Sequence, residues 1–418
     1  MSRPRVVITG VGSVSPLGTD ASTFWEGLLQ GRSGIRRITS FDASHLPCQI
    51  AGEIPDFQPE NYLQRKEARR TPRSGQIAIA AAKQAVADAG LPEKMLDPER
   101  AAIVFGTSIG GLDVVEDGIQ VLRTKGLERV NPFSIPTGLP NFPAFVIAHQ
   151  LQCLGPCTTI ATACATSTQA VGEATELIRR GVADIVITGG TDSVIRDFPI
   201  AGFISMRVLP LNFNDHPEKA SRPFDALREG FVYSEGAGVL VLESLPHAQQ
   251  RKARIYAEII GHASSSDGYH MAAPDPEAGG PTRAMRWALQ DANLSPVDVD
   301  YINAHGTSTF INDLTETNSI KKVFGDHAYK LAISSTKSMI GHAMGASGAL
   351  EAIACALTIH HGWIHPTINY KNPDPDCDLD YVPNQARKSA VNVVLSNSFG
   401  LGGQNSCLVF KRYSQDGN

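Results

Sequence analysis

The sequence lacks the features that mark three common classes of protein. No stretch has the unbroken apolar length of a membrane-spanning helix, and a net charge of −5 argues against a nucleic-acid binder. The seven cysteines include no C-x-x-C pair, and Cys153 and Cys157, the closest two, have no partner pair nearby. We therefore expect no membrane partner, no nucleic-acid partner, and reduced thiols rather than disulfides or a metal site.

The composition and the first residues are typical of a cytoplasmic globular protein. Of the 418 residues, 42% are hydrophobic and 19% are charged, which allows a large core or two fused ones. A predicted strand at residues 5–8 directly follows Met1, so we expect no signal peptide. A processed plastid or mitochondrial form is the alternative to a cytoplasmic protein.

A cysteine stands between a predicted strand and a predicted helix. Residues 158–160 favour a buried strand, whereas apolar residues at helical spacing run from Thr168 to Gly181. Cys164 lies between them, among residues too small to hide its sulfur. At a helix N-terminus, unpaired N–H groups and the helix dipole favour a thiolate and can hold an oxyanion. This position predicts a nucleophile, and the alternative is a small buried hydrophobic residue.

Two histidines follow predicted strands in turns rich in glycine and hydroxyl residues. His305 lies in NAHGTST, residues 303–309, after a short apolar run. Lys337 and His342 lie in SSTKSMIGHAMGASG, residues 334–348, which leads into an alanine-rich helix. A lone histidine is more often structural than catalytic, but two in the same setting favour a shared catalytic role.

The same series of elements occurs twice along the chain. Strands that open into glycine and hydroxyl residues alternate with helices, and the first helix of each series has an Asp near its end. The paired segments are 5–18 with 254–268, 76–89 with 282–293, the strand from 101 with the strand from 299, 158–181 with 331–359, and 184–190 with 392–403. Five correspondences in one order indicate an internal duplication.

The duplication predicts an α/β fold made of two halves. We expect an N-terminal half at residues 1–252, a C-terminal half at residues 253–412 and a tail at residues 413–418. Apolar strands indicate sheets covered on both faces, and alanine-rich helices allow a common buried layer between the halves. Strand ends from both halves then meet at one point, which brings together Cys164, His305 and His342.

Four motifs resemble those of the thiolase-fold condensing enzymes. They are TACATS around Cys164, NAHGTST around His305, SSTKSMIGH ending at His342, and SNSFGLGG at residues 396–403. Within that group the chain is similar, over nearly its whole length, to the elongating type II β-ketoacyl-acyl carrier protein synthases. The resemblance implies a thiolase-like fold whose duplicated halves form the layers αβαβα. The Cys-His-His set separates elongating synthases from the Cys-His-Asn branch that starts chains from acyl-coenzyme A, and from thiolases, which use a second cysteine.

The resemblance implies a two-stage condensation in fatty acid, or related polyketide, chain elongation. Cys164 would accept an acyl group from carrier-bound phosphopantetheine, and His305 and His342 would support decarboxylation of malonyl-acyl carrier protein. Lys337 would support the histidines electrostatically, the alternative being a structural ion pair with Glu351. Neither a metal nor a separate cofactor is implied, because phosphopantetheine arrives on the carrier protein as part of the substrate.

Further positions acquire substrate contacts from the resemblance. Thr307 and Thr309 match threonines that bind the pantetheine amides, with turn formation as the alternative. Ile109 and Phe203 match positions that line or close the acyl pocket. We therefore expect these four side chains to lie near Cys164.

An aromatic gate is implied at residues 398–403. Phe399 matches the gate over the cysteine, and Gly400 and its neighbouring glycines would give it backbone freedom. The N–H groups of Cys164 and Phe399 would form the oxyanion hole. Three residues depart from the family pattern, namely Phe310 in place of proline, Gln404 in place of threonine, and Ala272 in place of a hydroxyl residue.

The resemblance implies an acyl carrier protein as partner and a homodimer as assembly. The carrier is acidic in such systems, so docking needs local basic patches. Docking candidates are Arg65, Lys66, Arg69 and Arg70 in one cluster, Arg123, Lys125 and Arg129 in another, and Arg207. Solvated helix faces are the alternative reading of both clusters. In the dimer, the strand at 184–190 would continue one sheet across the two-fold axis, and Phe203 of the partner subunit would close the acyl pocket.

Two other function classes stay open on the sequence alone. A cysteine hydrolase would pair Cys164 with a histidine and an orienting Asn303 or Asn397, but would leave the duplication and the second histidine unexplained. A non-enzymatic acyl-binding scaffold would need the pocket but not the thiol.

Overall fold

The computed structural model describes residues 3–415. Residues 416–418 of the predicted tail at 413–418 lie outside the described residues. The strands are β1 Val6–Val14, β2 Arg36–Arg37, β3 Ile50–Ala51, β4 Ala101–Gly106, β5 Cys157–Ile160, β6 Ile185–Asp192, β7 Gly236–Ser244, β8 Ala257–Ser266, β9 Tyr301–Asn303, β10 Ala332–Ser334, β11 Trp363–Ile364, β12 Arg387–Lys388, β13 Val393–Gly400 and β14 Gln404–Lys411. The helices are α1 Ala21–Leu29, α2 Arg65–Ala68, α3 Arg73–Asp88, α4 Leu112–Lys125, α5 Ser134–Gly138, α6 Phe142–Leu151, α7 Thr166–Arg179, α8 Asp197–Ser205, α9 Leu245–Gln250, α10 Gly279–Asp291, α11 Phe310–Phe324, α12 Lys337–Ile340 and α13 Ser347–His361. None of the helices within residues 3–415 combines the length and the apolar character needed to cross a membrane.

Ten strands form one continuous sheet made of two matching halves. The order is β10-β9-β13-β14-β8-β1-β7-β6-β4-β5, and β1 meets β8 only where Val6, Val7 and Ile8 pair with residues 257–259. Outward from this junction, each half contains two antiparallel pairings followed by two parallel ones. Strand order and strand direction therefore confirm the predicted duplication.

Helices cover both halves of the sheet and separate them. α3 packs on β1 and β7, α10 packs on β8 and β14, and α7 and α13 contact strands of both halves. Every residue of α13 from Ser347 to Ile359 is buried, as expected for a helix with one half of the sheet on each side. The layers approach closely, since a Cβ at Gly238 would lie 2.7 Å from the Leu350 nitrogen. The predicted α/β fold with αβαβα layers is observed.

Two predictions about the sheet edge are wrong. β5, expected as a buried strand, is the outer strand of its half, and its residues Cys157 and Thr158 are exposed. β6, expected to continue the sheet into a partner subunit, is paired on both sides, with β4 and with β7. Both errors have one cause, because the order of strands in the sheet differs from their order in the sequence. A crossover connection places β6 inside the sheet and leaves β5, which precedes it in sequence, at the edge. The open edge of the N-terminal half is therefore that of β5.

Candidate active site

Each half of the fold has the same strained turn ahead of its central helix. The turn Ala163–Ala165 precedes α7 and its first residue has a φ of +50°, whereas Met344–Ala346 precedes α13 and its first residue has a φ of +48°. Left-handed backbone at a residue with a side chain costs roughly 1–2 kcal/mol. Cys164 occupies the central position of the first turn, and Gly345 occupies that position in the second.

The halves differ in the loop that leads to this turn. Residues 161–162 join β5 to the first turn, whereas residues 335–343 join β10 to the second and carry Lys337 and His342. His305 comes from the loop after β9. The Sγ of Cys164 and one ring nitrogen of each histidine lie within 4.8 Å of one another. The fold thus brings together the three residues that the sequence predicts to converge.

Cys164 lies at the inner end of a cavity of about 420 Å³. Its side chain is buried, with only 5% of the residue exposed, so the prediction of an exposed sulfur is wrong. Its sequence neighbours are small, but Ile109, Phe203 and Met344 from other elements share its apolar cluster. The thiol is therefore reached through the cavity rather than from open solvent.

Burial also decides the protonation state of this thiol. It raises the pKa of Cys164 to about 11, although the Leu401 N–H and the charge of Lys337 both act to lower it. Burial therefore opposes the resting thiolate that the sequence predicts at this helix N-terminus. The thiol has to give up its proton as it reacts.

Hydrogen bonds on both backbone and ring fix His305. Its N–H and that of Gly306 each donate to the Glu316 carboxylate at 2.8 Å. Its Nδ1 lies 3.3 Å from Nζ of Lys337. Because an ammonium only donates, Nδ1 accepts and the ring proton sits on Nε2. Burial, with a contribution from the Lys337 charge, lowers the pKa of His305 well below its ordinary value, so the ring is neutral.

The second histidine leaves one ring nitrogen unused. Nδ1 of His342 lies 2.9 Å from the hydroxyl of Ser347, the first residue of α13. Its Nε2 is buried and has no hydrogen-bond partner within residues 3–415. Burial and then the Lys337 charge lower the pKa of His342 well below its ordinary value. A neutral imidazole that lines the cavity with a free nitrogen is suited to bind or relay a proton for a substrate.

A buried ion pair connects the histidine loops to α13. Lys337 and Glu351 are almost fully buried and hydrogen-bonded to each other. Burial raises the pKa of Glu351 to about 7, although the Lys337 charge opposes this shift. The ion pair that the sequence offers as an alternative is therefore present. It exists together with the Lys337 contact to His305, so the two interpretations are compatible.

Most of the predicted substrate-binding residues line the cavity. The lining includes Phe203, Arg207, Thr307, Thr309, Phe399 and Gly400, together with Cys164, His305 and His342. The hydroxyls of Thr307 and Thr309 lie 2.9 Å apart, and the Phe399 ring lies edge-on to His305 with centroids 5.7 Å apart. A Cβ at Gly400 would lie 2.7 Å from the Thr162 carbonyl oxygen, which explains the glycine next to the predicted gate.

Phe203 contributes to the pocket of its own chain. Its ring meets that of Phe231 edge to face at 5.2 Å and lies 5.5 Å from Tyr233, within the cluster that surrounds Cys164. The prediction that Phe203 of the partner subunit closes the acyl pocket is therefore wrong. Helix α8 folds back over the cavity, a long-range contact that the local sequence does not indicate.

The predicted docking residues fall in two places. Arg207 lines the cavity. Lys66, Arg69 and Arg70 are exposed on and just after α2 and do not belong to the lining of the cavity. Of these four residues, only Arg207 therefore lies beside the cavity that contains Cys164.

Two buried carboxylates that the sequence does not indicate hold the loops of the site. Glu316 binds the backbone of the His305 turn, and burial raises its pKa to about 7. Asp192 accepts from the Thr107 hydroxyl at 2.6 Å and from the Gly345 N–H at 2.6 Å. Both carboxylates bind mainly backbone N–H groups and hydroxyls. Because such groups occur in every loop, no sequence pattern identifies these two acids.

The two asparagines that a hydrolase would use are engaged elsewhere. The Asn303 amide donates to the Thr336 hydroxyl at 3.0 Å, and the Asn397 amide donates to the Glu316 carboxylate at 3.1 Å. Neither amide hydrogen-bonds to His305 or His342 within the described part of the chain. The site therefore lacks the orienting group of a hydrolase triad.

Comparison with known proteins agrees with this geometry. The solved ishigamide ketosynthase/chain length factor has a TM-score of 0.93 and 40% identity, covering 99% of this chain and 100% of that chain. The structure of AntDE:AntF, a type II polyketide acyl-carrier protein in complex with its ketosynthase, has a TM-score of 0.90 and 34% identity, covering 99% and 100%. The N-terminal domain of the β-ketoacyl synthase family matches residues 3–248 and its C-terminal domain matches residues 256–371, so the chain belongs to this family. The 3-oxoacyl-[acyl-carrier-protein] synthase 2 of Synechocystis sp. is 48% identical over 413 residues, 99% of each chain.

Proposed function

We propose that this β-ketoacyl synthase is a 3-oxoacyl-[acyl-carrier-protein] synthase, which condenses an acyl group with malonyl-acyl carrier protein during fatty acid, or related polyketide, elongation. The observation that carries the proposal is the convergence of one thiol and two neutral imidazoles within 4.8 Å at the end of a cavity. The 48% identity to a protein named 3-oxoacyl-[acyl-carrier-protein] synthase 2 supports the same reaction.

In the first half-reaction, Cys164 takes the acyl group. Its sulfur attacks the thioester carbon, the bond from that carbon to the pantetheine sulfur breaks, and the pantetheine thiol leaves with a proton. The Nε2 of His342, which is buried without a hydrogen-bond partner within residues 3–415 and lines the cavity beside the thiol, is suited to take the thiol proton. The N–H groups of Cys164 and Leu401, which both meet the Cys164 sulfur, would hold the oxyanion, with Leu401 in place of the predicted Phe399.

In the second half-reaction, the histidines handle the malonyl group. The Nε2–H of His305 donates to the thioester oxygen as carbon dioxide leaves, and His342 supports the same enolate. The resulting carbanion attacks the acyl carbon on Cys164, the carbon–sulfur bond to Cys164 breaks, and the sulfur regains a proton. Lys337 acts as a positioning residue, because its contact keeps the His305 proton on Nε2.

In this proposal, different residues contact the pantetheine arm and the acyl chain. The Thr307 and Thr309 hydroxyls would bind the pantetheine amides, whereas Ile109 and Phe203 would bound the acyl chain. Phe399, which is half-buried, lines the cavity and contacts the His305 ring, would act as the gate that moves before acyl loading.

An acyl carrier protein is the proposed partner. The AntDE:AntF structure is described as a carrier protein in complex with its ketosynthase, and its similarity to this chain supports a comparable encounter here. Arg207 beside the cavity, with exposed Lys66, Arg69 and Arg70, would attract an acidic carrier. A cytoplasmic location, where such a carrier would be met, completes the proposal.

A homodimer is proposed through the open edge of β5. Large apolar side chains are exposed on the segments around this strand, namely Leu127, Phe133, Ile135, Leu139, Phe145 and Leu154. Exposed apolar groups concentrated on one stretch of chain are typical of an interface. Pairing of β5 with its copy would satisfy the outward-facing backbone groups of both strands.

Mass spectrometry after incubation with an acyl-carrier thioester tests the function. We expect a stable acyl adduct on the peptide that contains Cys164, and a 3-oxoacyl-carrier product after malonyl-carrier protein is added. Cys157→Ala is the matched control, because Cys157 is exposed but outside the cavity. Release of free acid would indicate a hydrolase and absence of any adduct would indicate a scaffold, so either result would refute the proposal.

A further inference from the structure

Phe310 differs from the family pattern, and the proposed reaction gives it no role. It begins α11 and lines the cavity with 58% of the residue exposed. Ile311 and Met206 line the same cavity and are also exposed, by 56% and 42%. Large apolar side chains gathered at one entrance indicate contact with an apolar part of a ligand.

The Phe310 ring is held in place from behind. The guanidinium carbon of Arg228 lies 4.9 Å from the ring centroid, and the Arg228 side chain is fully buried. This guanidinium donates to the Asp374 carboxylate at 2.7 Å and to the Phe310 carbonyl at 3.2 Å. Because Arg228 is bound on two sides, its cation–π contact fixes the ring, and the ring rather than Arg228 lines the cavity.

We propose that Phe310 binds the geminal dimethyl segment of the phosphopantetheine arm and makes the enzyme favour thioesters that carry the full arm. This inference rests on the proposed function, in which the arm enters the cavity. The chemistry along the arm supports it, because the thiol reaches Cys164, the amides reach Thr307 and Thr309, and the dimethyl carbon follows one hydroxyl-bearing carbon beyond the second amide, toward the phosphate. The residue that follows Thr309 is Phe310, at the entrance, where an apolar surface fits the two methyl groups. A ring that is already fixed loses little conformational freedom on binding.

The test compares two malonyl thioesters on enzyme acylated beforehand. Malonyl-pantetheine carries the dimethyl segment, whereas malonyl-desdimethylpantetheine keeps both amides and has hydrogen in place of the two methyl groups. In Phe310→Ala, the ratio of KM for malonyl-pantetheine to KM for malonyl-desdimethylpantetheine should rise about fivefold over wild type, since the two methyl groups lose much of the apolar surface that they contact. Phe310→Leu should raise the ratio less, and Phe310→Tyr should leave it near the wild-type value.

Tyr329→Ala is the matched control, because its ring is 57% exposed and lies 5.8 Å from Nζ of Lys321 but does not line the cavity. This variant should keep the wild-type ratio. An equal rise in both KM values for Phe310→Ala would assign the ring to support of the Thr309 turn. A rise in KM seen only with malonyl-carrier protein would assign the Phe310 ring to contact with the carrier surface. Either result would overturn the inference. Absence of condensation by the wild type with every substrate would overturn the proposed function and this inference with it.

Discussion

Nζ of Lys337 lies 3.3 Å from Nδ1 of His305, and this contact determines which nitrogen of the imidazole carries the proton. The same ammonium is paired with Glu351, so one side chain both completes a buried ion pair and orients a reactive group. These two roles have different consequences for stability and for activity. Substitution of Lys337 alone, compared with substitution of Lys337 and Glu351 together, can therefore distinguish the two roles.

Replacing Lys337 with Met should destabilise the protein and suppress malonyl decarboxylation. Removing one partner of a buried ion pair costs about 3–5 kcal/mol, because Glu351 is left unpaired. In Lys337→Met/Glu351→Leu most of this stability should return, whereas decarboxylation should stay about a hundredfold below wild type because His305 is no longer held. Urea unfolding and carbon dioxide release measure the two effects. Recovery of decarboxylation in step with stability would show that Lys337 is only structural.

Cys164→Gln should separate the two half-reactions. The variant should lose condensation completely, since the acyl group has no acceptor, yet keep or increase malonyl decarboxylation, which the histidines support. His305→Ala and His342→Ala should show the reverse, with suppressed decarboxylation and residual acylation of Cys164. Carbon dioxide release and adduct mass give the two readouts. If folded Cys164→Gln protein released no carbon dioxide, this division of roles would be refuted.

Glu316 should make stability depend on pH in a defined direction. Burial raises its pKa from 4.5 to about 7, so between these values the folded protein holds a proton that the unfolded chain has released. Its contribution is complete at low pH and is lost as the pH rises through 7. The stability advantage of wild type over Glu316→Gln should therefore shrink by about 3 kcal/mol across this range.

Urea unfolding at a series of pH values checks the Glu316 prediction. Glu173→Gln, at an exposed position, supplies the control for loss of a carboxylate without burial. A constant difference between wild type and Glu316→Gln would mean that Glu316 does not titrate in this window.

A proline at Thr159 should dissociate the proposed dimer. The carbonyls of Pro156 and Ile160 accept hydrogen bonds from the β4 side, so the alternate residue Thr159 directs its N–H outward. Thr159→Pro removes that N–H without touching the bonds to β4, whereas Thr159→Val keeps it. Light scattering should report a monomer for the first variant and a dimer for the second. A fully active wild-type monomer would refute the assembly.

The sequence allowed the centre of the site to be predicted better than its surroundings. Cys164, His305 and His342 stand in local motifs at strand ends, and the duplication predicts that those ends meet. Burial of Cys164 depends on Ile109 and Phe203, which are remote in sequence, so its exposure was predicted wrongly. The partners of Glu316 are likewise set by tertiary structure alone.

The sequence also predicts the middle of two helices better than their first turns. The predicted segments 76–89 and 282–293 each begin three residues after the observed start of α3 at Arg73 and of α10 at Gly279. The first turns read RSG and GGP, and although Ser74, Gly75, Gly280 and Pro281 are buried, they are not large apolar residues at helical spacing. Apolar periodicity therefore misses a first turn that packs through small residues.

The repeated turn before α7 and α13 explains why the chain has one nucleophile rather than two. A Cβ at Gly345 would lie 2.7 Å from the Asp192 carboxylate and 2.7 Å from the Ser108 nitrogen, so any side chain there would displace the contacts that hold the second turn. The N-terminal half supplies the thiol and the C-terminal half supplies both imidazoles. Neither half has a complete catalytic set, so the covalent fusion of the two is what allows acyl transfer and decarboxylation to occur at one centre.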